Sequence, residues 1–389
     1  MLILIAVISC AVWLYLTYAH GGFWRADQHL VTSPEPPHWP SVAVVIPARN
    51  EAETIATVVS AHMGSDYPGA LSVFVVDDQS SDGTGDLAAK AGKADSHISL
   101  NVIPGRPLPK GWSGKLWAME TGREAVQAAP DQADYVLFTD ADIVHAPDLL
   151  RRLVARAEDQ KLAMVSVMAQ LDARGLWGGL FIPAFIFFFQ KLYPFARVND
   201  VDSETAGAAG GVVLLKRSAL DAIGGLAPIK GALIDDCTLA QAVKTSGERR
   251  PIELVFAGED AKSLRDNRSF DTVRQMVART AFTQLGYSWA KLIGTVIGMA
   301  LVYLAGPILL LTMPLHRDAL AGLLGAIVWG MMIAAFAPTL RLYGKPIWQG
   351  VFLPLTALFY TGFTVDSAVK HATGKGGAWK GRTYPATEG

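Results

Sequence analysis

Val42-Ala43-Val44-Val45-Ile46-Pro47-Ala48-Arg49-Asn50-Glu51 is an apolar, β-branched run that stops at a proline and opens into a short polar turn. Such a run bounded by turn residues reads as a buried strand, and Glu51 to Met63 behind it has helical character with acids in its first turn. The pattern returns downstream. Leu71 to Val76 is a second run ending at Asp77-Asp78, and Tyr135 to Thr139 is a third ending at Asp140-Ala141-Asp142. Pro147 to Gln160 reads as a helix, before another strand at Leu162 to Met168. Strands alternating with helices predict an α/β domain around a mostly parallel sheet, with functional loops at the strand carboxyl ends. Both acidic clusters fall at such ends.

The composition sets this domain beside a membrane. The 389 residues are 51% hydrophobic and 18% charged, too apolar for a wholly soluble chain. With 34 basic against 35 acidic residues, no bulk charge points to nucleic acid. Cys10 and Cys237 are the 2 cysteines, which excludes a disulfide framework or a cysteine-rich metal site built from this chain alone.

Met1 to Ala19 carries no charge and just reaches the roughly 20 residues needed to cross a bilayer. No Lys or Arg precedes the run, so it reads as a retained anchor rather than a cleaved signal. Later come three long apolar segments, Trp289 to Thr312, Ala319 to Leu340 and Ile347 to Val365. A shorter patch, Leu176 to Phe189, contains Pro183 and reads as interfacial or re-entrant. The expected organisation is an anchor over 1–20, a Pro-rich linker over 21–40, the α/β domain over 41–265, an amphipathic interface helix over 266–288, transmembrane or re-entrant helices over 289–366 and a basic tail over 367–389. Three full spans would put the tail basics Lys370, Lys375, Lys380 and Arg382 on the opposite side from the α/β domain, against the positive-inside tendency that Arg341 and Lys345 also express. Both are satisfied if one late segment is re-entrant or split, and Pro307 and Pro354 are places for that.

The acidic turns can carry chemistry. Asp77 and Asp78, with the turn Pro47-Ala48-Arg49-Asn50-Glu51, can accept hydrogen bonds from a base or ribose, or cap the following helices. Asp140 and Asp142 are one residue apart at a strand end and can hold a hard divalent cation, Mg or Mn, against a diphosphate. Asp235-Asp236 precede Cys237-Thr238-Leu239 at a probable helix start. A carboxylate there serves as an N-cap, as a general base for a hydroxyl, or as both.

Taken in order, Val45 to Glu51, Val76-Asp77-Asp78 with Ser80 and Asp82-Gly83-Thr84, Gly114-Lys115, Asp140-Ala141-Asp142, Gly210-Gly211 through Lys216-Arg217, and Asp235-Asp236 resemble the signature of family 2 glycosyltransferases with the GT-A fold. The likeness runs from about Ser41 to Gln241. The late helices and Trp379-Lys380-Gly381-Arg382 with Tyr384 are most similar to the branch that glycosylates lipids, including ceramide glucosyltransferase-like and hopanoid-biosynthesis-associated enzymes. The resemblance implies a Rossmann-like GT-A catalytic domain on the cytoplasmic face of the inner membrane, a nucleotide-sugar donor, a membrane lipid acceptor and inversion at the anomeric centre. It implies donor binding by Pro47, Arg49, Glu51, Asp77, Asp78, Lys115, Asp140 and Arg279, metal binding by Asp140 and Asp142, and catalysis by Asp236 beside Asp235.

Processive members carry Gln-x-x-Arg-Trp near the membrane. Here Met276-Val277-Ala278-Arg279-Thr280 lacks the Gln and the Trp, which favours transfer of one sugar over polymer synthesis. A catalytically silent nucleotide-sugar-binding scaffold is the reading from another class; it is disfavoured because every acid expected for chemistry is present. A dinucleotide-binding oxidoreductase is excluded by the absence of a Gly-x-Gly-x-x-Gly turn after the first strand.

Overall fold

The computed structural model describes residues 1–92, 97–130, 132–247 and 250–373, with the backbone at 378–379 and 382–383. The described residues gather into two compact units: those within 28–171 and 197–265, with 379 and 382–383, form one, and those within 1–27, 172–196 and 266–373, with 378, the other. The stretch 172–196, expected inside a continuous α/β domain, therefore belongs with the apolar helices. Of the basic tail, Lys375, Lys380 and Tyr384 lie outside the described residues, as do the side chains of Trp379 and Arg382.

In the first unit the strands, in chain order, are β1 (Val42–Ala48), β2 (Leu71–Asp77), β3 (Ser99–Pro104), β4 (Tyr135–Thr139), β5 (Ile143–His145), β6 (Met164–Met168), β7 (Val212–Lys216), β8 (Ile252–Phe256) and β9 (Ala261–Ser263). The main sheet runs β3-β2-β1-β4-β7-β6-β8. β1 pairs in parallel with β2 on one side and β4 on the other, and β7 is antiparallel to both β4 and β6. β1 is buried throughout, as its unbroken apolar run requires. It continues through Pro47 to Ala48 instead of stopping at the proline: its ladder with β4 ends at Val45, so Pro47 falls where the strand has lost one neighbour.

The chain winds outward from β1 through β2 to β3 and then returns to place β4 on the other side of β1. Loops leaving β1 and β4 diverge at such a reversal, which opens a crevice at their carboxyl ends. β5 and β9 pair as a separate antiparallel ribbon immediately after Asp140-Ala141-Asp142. The helix Gly114–Ala128 packs close on the sheet because Gly122 has no side chain; a Cβ there would overlap Val45 Cγ1.

The second unit is a bundle of apolar helices. Gly175–Val198, Trp289–Leu311, Ala319–Leu342 and Ile347–Ala372 are each long and apolar enough to cross a membrane, and Leu2–Tyr18 is a shorter apolar helix. Trp289–Leu311 and Ala319–Leu342 form an antiparallel hairpin in which Gly306 and Gly325 let the backbones touch; a Cβ on Gly325 would lie 2.6 Å from the Gly306 carbonyl. Pro307 does not break its helix. A π-helical turn, Ala300–Leu304, precedes it and absorbs the hydrogen bond that the proline ring cannot make.

The final segment doubles back within the bundle. Its far end, His371, stacks on Tyr287 at 4.3 Å, just ahead of Trp289. The hairpin returns the chain to that same end, where the Lys345 N–H bonds the Leu340 carbonyl. From there Ile347–Phe352 enters as a 3-10 stretch, with the Trp329 indole donating to the Val351 carbonyl, and Leu353–Ala372 comes back out. Pro354 sits in the first turn of this helix, where no N–H is needed. Arg341, Lys345 and Lys370 thus lie at one end of the bundle.

Single cysteines at Lys345 and Thr373 are therefore expected to react with a membrane-impermeant maleimide from the same side of sealed vesicles, and one at Arg317 from the other. Labelling of Lys345 and Thr373 from opposite sides would refute the doubled-back path.

Candidate active site

The loops after β1 and β2 are laced together. Asn50 and Gln79 both adopt left-handed backbone, φ 51 and 57, which Asn tolerates better than most residues. In this pose the Asn50 N–H reaches Ser80 Oγ (3.0 Å), its Oδ1 accepts from the Ser81 N–H (2.9 Å), and the Glu51 N–H reaches Thr84 Oγ1 (2.8 Å). Arg49 donates to the carbonyls of Asp78 (2.5 Å) and Gln79 (3.3 Å) and lies 3.8 Å from the Asp78 carboxylate, which is 1% exposed. Gly105 packs on the backbone of Asp77 and Asp78; a Cβ there would sit 2.7 Å from Asp78 Cα. Asp77 is occupied within its turn, where Oδ1 accepts the Ser80 N–H at 3.1 Å. Pro47 is buried inside β1.

Two of the acidic clusters meet at one lysine. Ser113 caps the helix Gly114–Ala128 and sets Lys115 in its first turn. Lys115 Nζ lies 2.8 Å from Asp140 Oδ1 and 3.6 Å from Asp235 Oδ2. Asp235 and Asp236 open the helix Asp235–Thr245, where the positive end of the helix dipole favours acids. Asp236 Oδ2 accepts the Gly210 N–H and Oδ1 the Cys237 N–H, both at 2.8 Å. Gly210 stands just before β7, and the adjoining Gly211 carbonyl accepts the Asp140 N–H at 3.1 Å. The antiparallel β7 thus brings the glycine pair to the carboxyl end of β4.

Asp142 is 6% exposed, and its Oδ2 lies 3.1 Å from Arg265 Nε at the end of the β5–β9 ribbon. Arg265 was not identifiable from sequence: it sits in a polar stretch without periodicity, and only the pairing of two three-residue strands carries it to Asp142. Arg279 is the C-cap of the helix Phe270–Ala278 in the other unit. The single amphipathic helix expected there is interrupted after Ala278 and resumes as Ala281–Gln284.

Electrostatics separate these groups. Burial opposes charge on Lys115, yet Asp140, Asp235 and Asp236 together hold it protonated well above the ordinary lysine range. Burial and then the Asp235 charge push Asp236 up to about 6, with Lys115 and the two N–H bonds only partly offsetting them. Asp142 is also raised, first by burial, then by Asp140 and Glu51 working against Arg265. Among the described residues no three His, Cys, Asp or Glu side chains stand ready to enclose a metal. Two carboxylates crowded by a third suit a hard cation whose remaining ligands come from a diphosphate, so Asp140 and Asp142 fit the expected metal.

Comparison with known proteins bears on the family and the fold. Residues 39–278 match the family described as "Glycosyltransferase like family 2". An N-acetylglucosaminyltransferase of Mesorhizobium japonicum is 34% identical over 149 residues, 36% of this chain and 32% of its own length. An undecaprenyl-phosphate 4-deoxy-4-formamido-L-arabinose transferase of Salmonella paratyphi A is 31% identical over 121 residues, 30% of this chain and 34% of its own. The chain thus spans about a third of the length of these curated relatives. A mannosyltransferase from Pyrobaculum calidifontis, solved in complex with GDP-Man and Mn2+, superposes with a TM-score of 0.56 over 96% of this chain and 99% of that one, at 20% identity. That likeness shows the fold, which is GT-A.

Lys115→Met removes the cation that holds the Asp236 carboxyl down. The acid limb of the pH–activity profile is expected to move to higher pH, while an unmoved limb would separate Lys115 from Asp236.

Proposed function

Since this chain belongs to the glycosyltransferase-like family 2 proteins, we propose that it transfers a single sugar from a nucleotide-sugar, a UDP-sugar, to a membrane lipid at the cytoplasmic face of the inner membrane, with inversion. The observation that carries this reading is Asp236: a carboxyl pushed up to about 6, oriented by two backbone N–H groups, beside a lysine shared by the acidic pairs. A base is most effective when its pKa lies near the working pH.

In this mechanism the loops after β1 and β2 hold the nucleoside, with Arg49, Glu51 and Asp78 around it. Asp140 and Asp142 would hold a divalent cation, Mg or Mn, which when bound neutralises charge on the departing diphosphate. Asp236 takes the proton from the acceptor hydroxyl as that oxygen attacks the anomeric carbon and the bond to the diphosphate breaks. One displacement leaves the configuration inverted. Asp235 keeps Lys115 close to Asp140, where its ammonium also faces developing negative charge. Arg279 is assigned to the diphosphate on the family resemblance alone.

The apolar bundle supports a lipid acceptor. The Salmonella relative, named for undecaprenyl phosphate, makes a polyprenyl phosphate one acceptor to test beside hopanoid and sphingolipid-like alcohols. The Mesorhizobium relative, named an N-acetylglucosaminyltransferase, makes UDP-N-acetylglucosamine the first donor to try. A phosphate acceptor needs no base, so Asp236→Asn separates the two acceptor types.

Membranes holding the protein are to be incubated with labelled nucleotide-sugars, with and without Mg or Mn, and their lipids extracted. A labelled lipid is expected only with metal. Asp236→Asn should keep donor binding and lose transfer to a hydroxyl by about 100-fold or more. Full transfer by that variant would dismiss Asp236 as base, and label confined to a water-soluble polymer would make the protein a processive synthase.

A further inference from the structure

Lys191 is out of keeping with its surroundings. It is the next-to-last residue of the helix Gly175–Leu192, directly after Phe187-Phe188-Phe189-Gln190. A lysine so near the end of an apolar helix ordinarily extends its ammonium outward to water. Here Nζ donates to the Tyr303 hydroxyl at 3.1 Å and lies over the rings of Tyr303 (4.8 Å) and Phe188 (5.3 Å). None of these groups is anionic, and among the described residues no carboxylate is paired with Lys191. An ammonium in an apolar bundle with only a phenol and ring faces for company keeps its charge uncompensated.

A second device aims Tyr303 at it. Tyr303 lies in the π-helical turn Ala300–Leu304, a kind of turn that recurs at functional sites. Residues of the first helix hold that turn in place: Ser9 Oγ donates to the Leu301 carbonyl (3.0 Å) and Trp13 Nε1 to the Val302 carbonyl (2.7 Å). Trp13 and Phe188 also set ring edges against Tyr303, at 5.7 and 5.5 Å. His20 Nε2 lies 2.8 Å from the Lys191 carbonyl and ties down the backbone from which the ammonium projects.

We infer that Lys191 and Tyr303 form a binding site for a phosphate group carried by a membrane lipid. The ammonium and the phenol are adjacent donors, and phosphate oxygens accept charge-assisted bonds from both once the phenol proton, buried with its ring, turns toward the anion. This deepens the lipid reading and rests on it only for the lipid's identity, since the site would hold either an acceptor phosphate or the headgroup of a bulk phospholipid.

The full-length protein in detergent is to be titrated with undecaprenyl phosphate, phosphatidylglycerol and diacylglycerol, without donor or metal, and bound lipid counted by native mass spectrometry. The wild type should retain the phosphate-bearing lipids over diacylglycerol. Lys191→Met should weaken that retention by about tenfold or more, with Lys191→Arg restoring most of it. Preference for undecaprenyl phosphate would identify the acceptor as the source, and equal retention of phosphatidylglycerol would identify bulk lipid; both uphold the site. Equal retention of diacylglycerol, or wild-type retention by a Lys191→Met protein that still binds UDP, overturns it. Loss of sugar transfer in a protein that still retains these lipids would count against the proposed reaction and leave the lipid site standing.

Discussion

Asp140, Asp142, Asp235 and Asp236 crowd one corner of the sheet, and like charges so close repel unless cations stand among them. Lys115 is the cation shared between the pairs, 2.8 Å from Asp140 and 3.6 Å from Asp235, and Arg265 pairs with Asp142. The rest of the site follows from holding that lysine in place. Its helix approaches the sheet closely because Gly122 leaves room for Val45, and Ser113 fixes the helix start. Asp236 then sits near enough to Lys115 to remain ionisable at moderate pH, yet far enough into the protein to keep a basic carboxylate.

The apolar unit works under a different constraint. Buried among apolar side chains, each carbonyl freed by a helix irregularity needs a partner inside the bundle. The π-helical turn ahead of Pro307 frees such carbonyls, and Ser9 and Trp13, one turn apart on the first helix, satisfy them. Pro354 poses no such demand because it opens its helix. The two prolines that could each have broken a span therefore have unlike outcomes: one is absorbed within a continuous helical run, and the other marks the point where the last segment turns back.

Legibility varied with burial and length. The central strands β1, β2 and β4 were read close to their observed bounds because strands covered on both faces are continuous apolar runs. β3 was missed because its faces are largely exposed and its residues mixed, and β5 and β9 because three residues carry no period. Asp77 and Asp78 look alike in sequence as adjacent acids at a strand end. The pleat sends them apart, one into its own turn and the other beneath Arg49.

The amino-acid order alone determined the family, the α/β architecture and the apolar segments, because each is written in local pattern or in motifs at fixed places along the chain. Only the tertiary structure decided which cations neutralise those acids, where residues 172–196 belong and how the last helix returns to its starting end. Those are relations between residues distant in the chain. A lysine's charge or an arginine's fork is the same in any sequence, and what it does is set by the carboxylate that folding places within about 4 Å of it.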